Sequence, residues 1–401
     1  MAIPRYRPQR GPAILAAGFR PFFLLAALWA AVAIPLWLLF FAGDAAPPTL
    51  LSPVVWHVHA MVYGFGAATV AGFLLTAIPN WTGRMPLQGA PLGGLVLLWL
   101  LGRVGVLLSA KIGAVAAAAL DLSFPAVFLA VIAREIVAGK NWRNLPMVAV
   151  LSLFLIGNLL VHLESLGLAR TALLGDRIGV ATLVMLVSFI GGRIVPSFTR
   201  NWLAKANPAA APPAGFGAID RVALLLTALA LAAWALAPGV AAAPYLELAA
   251  GLALGFRLVR WRGFAAWRDP LVFVLHLGYG WVVLGLLLLG LDGFWPALPQ
   301  TAAVHALTVG AVGTMTLAVM TRASLGHSGR GLRAGAGTTA IYGLVTLAAL
   351  LRLAAPLAGG DYLFALMLAG AAWSAAFGLF FALYFPLLAR PRTRQLVAGP
   401  A

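Results

Sequence analysis

Apolar residues run along this chain in continuous stretches near twenty residues long, parted by short segments rich in Gly, Pro and Arg. Crossing a hydrocarbon core of ~30 Å takes ~20 helical residues. On that ruler the pattern predicts about twelve transmembrane helices, over residues 22–41, 54–78, 92–108, 112–133, 145–166, 178–198, 219–236, 245–259, 271–291, 298–320, 340–357 and 362–388. The eighth is the shortest. A β-barrel is excluded, because its strands would alternate apolar and polar residues over about ten positions. The fold class expected is therefore all-α, a polytopic transmembrane helix bundle forming a single integral membrane domain over residues 1–401. The longest connection, 201–217, is a Pro/Ala-rich loop with no room for a soluble domain.

The basic residues test this count, because cytoplasmic loops hold Lys and Arg preferentially. With the N-terminus inside, all but Arg103, Lys111, Arg170, Arg177 and Arg352 of the 27 Lys and Arg residues fall on the cytoplasmic side. A missed span would scramble that alternation. Both termini are thus expected in the cytoplasm. The first span is full length with no small-residue cleavage site after it, which predicts a retained helix.

Composition agrees and narrows the chemistry. The chain is 63% hydrophobic and 9% charged, where a soluble domain carries about a quarter charged residues. A net charge of +17 would point to nucleic acid in a soluble protein. Here it marks orientation in a lipid bilayer, and no nucleic-acid partner is expected. The absence of cysteine removes disulfides, thiolate zinc sites, iron–sulfur clusters and cysteine-tethered haem. Any metal must sit on His, Met, carboxylate or backbone.

Six histidines are the main chemical resource. His57 and His59 open the second span from the outer side, His162 closes the fifth there, and His305 lies about two turns inside the tenth. His276 and His327 belong to the cytoplasmic side. One interfacial histidine is ordinarily a helix cap or a carbonyl partner. Four at one depth point instead to metal chemistry, since neutral imidazole is the commonest metal ligand and intramembrane ionisable groups are costly. Residues two apart on a helix point ~200° apart, so His57 and His59 cannot both bind one metal unless the helix start is irregular; one is expected at a first site, and the other at a second site or facing lipid headgroups.

The second and tenth spans also correspond. His59-Ala60 is followed by Gly64 and later by Gly83-Arg84, and His305-Ala306 by Gly310 and Gly329-Arg330 at the same intervals. On that basis His59 and His305 are expected to face each other as axial ligands of a b-type haem, which needs no cysteine. His57, with His162, is left for a second metal, and copper suits imidazole and neighbouring Met.

The cytoplasmic ends carry residue-rich strings: Gly18 to Phe23, Pro79 to Arg84, Gly191 to Trp202 and Met320 to Arg330. None contains an acid. Arginine's fork of donors suits planar anions, so Arg193 and Arg322 are candidates to bind a cofactor or anionic ligand, whereas Arg84 and Arg330 fit anchoring. Asp121 is the one acid placed deep in the membrane, with helix packing its expected role and a proton relay the alternative.

Together these strings resemble the NnrS family of bacterial membrane proteins. The resemblance rests on GFRPFF at Gly18 to Phe23, H-x-H with GFLLTAIPNWTGR at His57 to Arg84, GGRIVPSFTRNW at Gly191 to Trp202, and HALTVGAVGTMTLAVMTRASLGHSGR at His305 to Arg330. It implies a haem- and copper-containing protein of the bacterial inner membrane, with a role in defence against nitric oxide and nitrosative stress in denitrifiers. Family members commonly carry an acid after H-x-H; here the position is Ala60. The resemblance assigns no ligands and no reaction. A full haem-copper oxidase or nitric oxide reductase would use six or more ligating histidines with an adjacent pair, and this chain has no His-His pair. A twelve-span secondary transporter of a metal or anion is the competing function. Against it, spans one to six and seven to twelve show no clear internal repeat.

Overall fold

The computed structural model describes residues 11–295 and 297–391. Among them there are no strands, and twelve long helices in chain order: α1 Phe19–Ala42, α2 Pro53–Thr82, α3 Ala90–Leu107, α4 Ala114–Ala138, α5 Pro146–Ser165, α6 Ala172–Ala206, α7 Ala218–Leu236, α8 Ala243–Val259, α9 Pro270–Asp292, α10 Gln300–His327, α11 Ala336–Ala354 and α12 Tyr362–Ala389. Eleven are long and apolar enough to cross a bilayer by length and composition. The twelfth, α8, has 17 residues, about 26 Å of helix, and packs along α7 and α9. Arg5, Arg7, Arg10, Arg392 and Arg394, all among the basic residues expected in the cytoplasm, lie outside the described residues.

One boundary differs from the hydropathy reading by more than a turn at both ends. Helix α6 runs for 35 residues, about 52 Å, so the loop after it begins at Asn207 and not at 201. Hydropathy marks where apolar surface stops. A helix entering water keeps its backbone bonds, and the polar string from Arg193 to Trp202 continues as helix through Pro196.

Short connections make successive helices antiparallel neighbours. Two contacts fix the ends of the bundle. Arg20 Nη1 donates to the carbonyls of Leu388 at 2.9 Å and Arg390 at 2.6 Å, which joins the start of α1 to the end of α12. At the other end the Ala110 amide donates to Pro48 O at 3.2 Å, and the hydroxyls of Thr49 and Ser109 pair at 3.0 Å. His57, His59, His162 and His305 all lie toward this second end, here the histidine end.

The centre is built from α2, α6, α9 and α10. Helix α2 packs on α1, α4 and α6, and α10 on α1, α6, α9, α11 and α12. In their most apolar windows 72% of α2 and 67% of α10 are buried, against 39% for α3, α4, α5, α7 and α11. Both central helices carry a π-helical stretch beginning one residue after a histidine: Ala60–Gly66 in α2 and Ala306–Gly313 in α10. A π turn inserts an extra residue, re-aims the side chains around it and frees carbonyls from the α pattern. In α2 two indoles take up such carbonyls: Trp29 Nε1 donates to Ala60 O at 2.9 Å and Trp99 Nε1 to Gly64 O at 3.1 Å. Glycine admits the indole. A Cβ on Gly64 would stand 2.6 Å from Trp29 Nε1, and one on Gly310 would stand 2.6 Å from the ring of Trp281.

Candidate metal and cofactor sites

Helix phase sends His57 and His59 to opposite sides of α2, and the structure builds a separate site on each. His59 faces α4 and α5. Its Nε2 lies 3.0 Å from Asp121 Oδ2 and 2.9 Å from Asn158 Oδ1. Both partners are acceptors, so the ring proton sits on Nε2, and Nδ1 is buried without a partner. His162, one turn beyond Asn158 on the same face of α5, directs its Nε2 to the same Asp121 oxygen at 2.9 Å. Asn158 Nδ2 donates to that oxygen as well, at 2.9 Å. The other carboxylate oxygen of Asp121 pairs with the Arg103 guanidinium from α3.

Every member of this set is buried, with His59 and Asp121 at 0% exposure and Arg103 at 4%. The carboxylate and guanidinium cancel, so the site is neutral as built. Ligand atoms from His59, Asp121 and His162 lie within 4.8 Å of one another, close enough to share one metal ion. Two imidazoles and a monodentate carboxylate suit copper, zinc or ferrous iron.

His57 faces the other way. Its ring stacks on Trp37 of α1 with centroids 4.2 Å apart, and lies 6.5 Å from the ring of His305 with planes within 15°. Metal–imidazole bonds run about 2.0–2.1 Å, and a ring centroid sits about 1.1 Å behind its ligating nitrogen. Two imidazoles sharing one metal ion would each have a centroid about 3 Å from it, so rings at this separation could hold one ion between them. His305 Nδ1 lies 2.7 Å from Thr301 O, a carbonyl, so Nδ1 carries the proton and Nε2 is left with its lone pair, as a metal ligand requires. His57 Nδ1 is buried with no hydrogen-bond partner among the described residues. Both rings line one cavity walled by Met61, Phe65, Leu183, Val309 and Trp373, with Arg352 also on its lining.

The expected pairing is thus exchanged. His59 does not face His305; it meets His162 and Asp121, while His57 meets His305. The correspondence between α2 and α10 holds for the backbone, where each histidine precedes a π stretch. It fails for the pairing because α10 packs on the side of the bundle toward which His57, not His59, points. The remaining histidines lie elsewhere: His276 Nε2 is 2.8 Å from Thr199 Oγ1, and His327 packs on the ring of Phe19.

Arg193 and Arg322 are not brought together. Arg193 lies over the ring of Phe189 at 4.2 Å, with Nη1 3.4 Å from Asn144 Oδ1. Arg322 lies over Phe198 at 4.0 Å. Neither lines the histidine cavity. Arg84 donates to Glu135 at 2.5 Å, a partner from α4 that its own string does not contain.

Sequence reasoning left three members of the buried set outside the site. In the sequence Arg103 reads as an orientation charge and Asp121 as a packing residue, and Asn158 carries no functional reading. Signals for all three were available: a lone Arg and a lone Asp in otherwise apolar helices, and Asn158 four residues before His162 on one helix face.

The fold defines a class, a multi-pass all-helical membrane protein, here with two histidine clusters on opposite sides of a central helix. A family model described as NnrS protein matches residues 13–392 of the 401-residue chain, and the chain belongs to the NnrS family. No curated protein matches it.

Proposed function

We propose that this protein is a haem- and copper-binding protein of the bacterial inner membrane, with both ends cytoplasmic, that acts in the response to nitric oxide and nitrosative stress. The observation that carries the reading is the near-parallel pair His57 and His305 across one apolar cavity, with a second donor set, His59, His162 and Asp121, on the far side of the same helix. The first pair fits a b-type haem by ring separation, by the free Nε2 of His305 and by the orphaned nitrogen of His57. The second set fits copper, the metal that the family resemblance implies. When bound, the two would supply one-electron chemistry and a metal centre responsive to nitric oxide.

The chain's own part is positioning. The Thr301 carbonyl holds the His305 ring with its lone pair turned away from the helix. Trp37 buttresses His57. Apolar side chains make up most of the cavity's lining. On the other side, Asn158 and Asp121 hold His59 and His162 on one point, and Arg103 ties the second carboxylate oxygen so that Asp121 offers a single donor.

The test is an optical spectrum of the purified protein with and without nitric oxide, together with metal analysis. The wild type is expected to show a Soret band that responds to nitric oxide, and bound copper. His57→Ala and His305→Ala should lose the band and keep copper; His59→Ala and His162→Ala should lose copper and keep the band. A wild-type protein with neither band nor copper would overturn the reading in favour of a transporter of a metal or anion.

A further inference from the structure

The cavity between His57 and His305 is lined mostly by apolar residues, with four polar or charged side chains among them. Besides the two imidazoles it is lined by Thr308 and Arg352. The Thr308 hydroxyl is spent on Val304 O at 2.8 Å. Arg352 is different. It lies on α11 two residues before the helix ends, at the histidine end, and is 8% exposed. Tyr362, at the start of α12, is a hydrogen-bonding neighbour of its guanidinium, yet Nη1 is buried without a partner among the described residues. No residue lining the cavity is an Asp or Glu.

A guanidinium keeps its charge in any protein environment. A buried cation with an open N–H and no counter-charge is costly. The missing anion must therefore come with the occupant, which needs an apolar body to match the walls and an anionic group at the arginine. We propose that Arg352 is the anchor for a carboxylate of the molecule seated between His57 and His305, which for a b-type haem is a propionate. This rests on the reading of the cavity given above. The planar fork of Arg352 matches a carboxylate with two parallel donors, and its place near the end of α11 sets the charged edge of the occupant toward the membrane surface, with Phe65, Leu183 and Val312 around the apolar remainder.

The probe is a pair of ligands, haem b and haem b dimethyl ester, in which both propionates are neutralised. Each is titrated into the full-length, haem-depleted protein and followed at the Soret band. A hydrogen bond to a charged group is lost with the ester, so the wild type should bind haem about 10- to 100-fold more tightly than the ester. Arg352→Leu should bind both alike, at the level of the ester, and Arg352→Lys should keep part of the preference. Retention of the full preference in Arg352→Leu would overturn the proposal. So would a wild type that binds haem and ester equally, a result that leaves the cavity reading standing. A wild type that takes up neither overturns both. Because the ester comparison is made on the wild type, it decides even where the leucine variant fails to fold; copper retained by a folded variant shows that the second site is undisturbed.

Discussion

Asp121→Asn is nearly isosteric and removes one charge. In the structure Asp121 receives His59, His162 and Asn158 at one oxygen and Arg103 at the other. An amide has only one acceptor oxygen. If that oxygen meets the three donors, its NH₂ faces the Arg103 guanidinium; if it is flipped, its NH₂ faces two imidazole N–H groups and the Asn158 amide. Either way donors oppose donors, and Arg103, 4% exposed, is left as an unbalanced buried cation. Breaking a buried ion pair by removing one partner costs about 3–5 kcal/mol. For a chain of this length that lowers the melting temperature by about 3–10 °C, scaled from the size dependence of soluble domains. Tryptophan fluorescence during thermal unfolding in detergent reads the transition, with chelator present so that metal release does not contribute. Arg103→Met alone should cost a similar amount, because it leaves the carboxylate unbalanced. The double variant should lose far less than the sum, with a coupling of about 2 kcal/mol or more, since both charges are then gone. Losses that simply add, or an Asp121→Asn protein that melts with the wild type, would refute the view that this network is a tightly coupled buried pair.

Gly64→Ala puts a methyl group 2.6 Å from Trp29 Nε1 and 3.0 Å from Arg103 Nη1; it should displace the indole from Ala60 O, destabilise the protein by about 1–3 kcal/mol, and lower copper content through Arg103, all read by melting and metal analysis. Metal binding through Nε2 of His59 and His162 should shift each ring proton to Nδ1 without net release, because a neutral imidazole keeps one proton while its other nitrogen binds the metal. A pH-indicator titration in unbuffered detergent should therefore show no stoichiometric proton release, and release in step with metal uptake would refute the view that both rings start neutral. The metal-free site is neutral, so cuprous ion should be held in preference to zinc in competition. Arg103→Met, which leaves the site negative, should shift that competition toward zinc; an unshifted ratio would count against the charge argument.

The helices were legible because a membrane imposes one rule on every span, a run of apolar residues long enough to cross it. Even α8, at 17 residues, was visible as the shortest. Helix α6 was misjudged where polar residues continue as helix into water. The histidines were legible as a group and by phase, since His57 and His59 were expected at separate sites. Their partners were not, because the direction in which each ring looks is set by which helices flank α2. That order is a tertiary fact no periodicity carries. The π stretches were hidden for a similar reason: a single extra residue per turn leaves apolar composition unchanged, and the only trace was Gly64 and Gly310 five residues after matching histidines.

The two sites differ in charge in a way that sorts their occupants. On one side of α2, Asp121 and Arg103 cancel, and neutral imidazoles face inward; a metal ion there brings uncompensated positive charge into a dry interior, a burden that grows with its valence. On the other side no acid faces the cavity, and Arg352 holds an open donor on its lining. Only an occupant bringing negative charge of its own relieves that side. A bare ion would worsen it. On the reading proposed above, a macrocycle with ionised carboxylates would satisfy both the arginine and the apolar walls, and the His305 nitrogen that Thr301 leaves free would be available to hold it. His57 and His59, two residues apart on one helix, thus face chemically distinct surroundings because the charges opposite them are arranged differently.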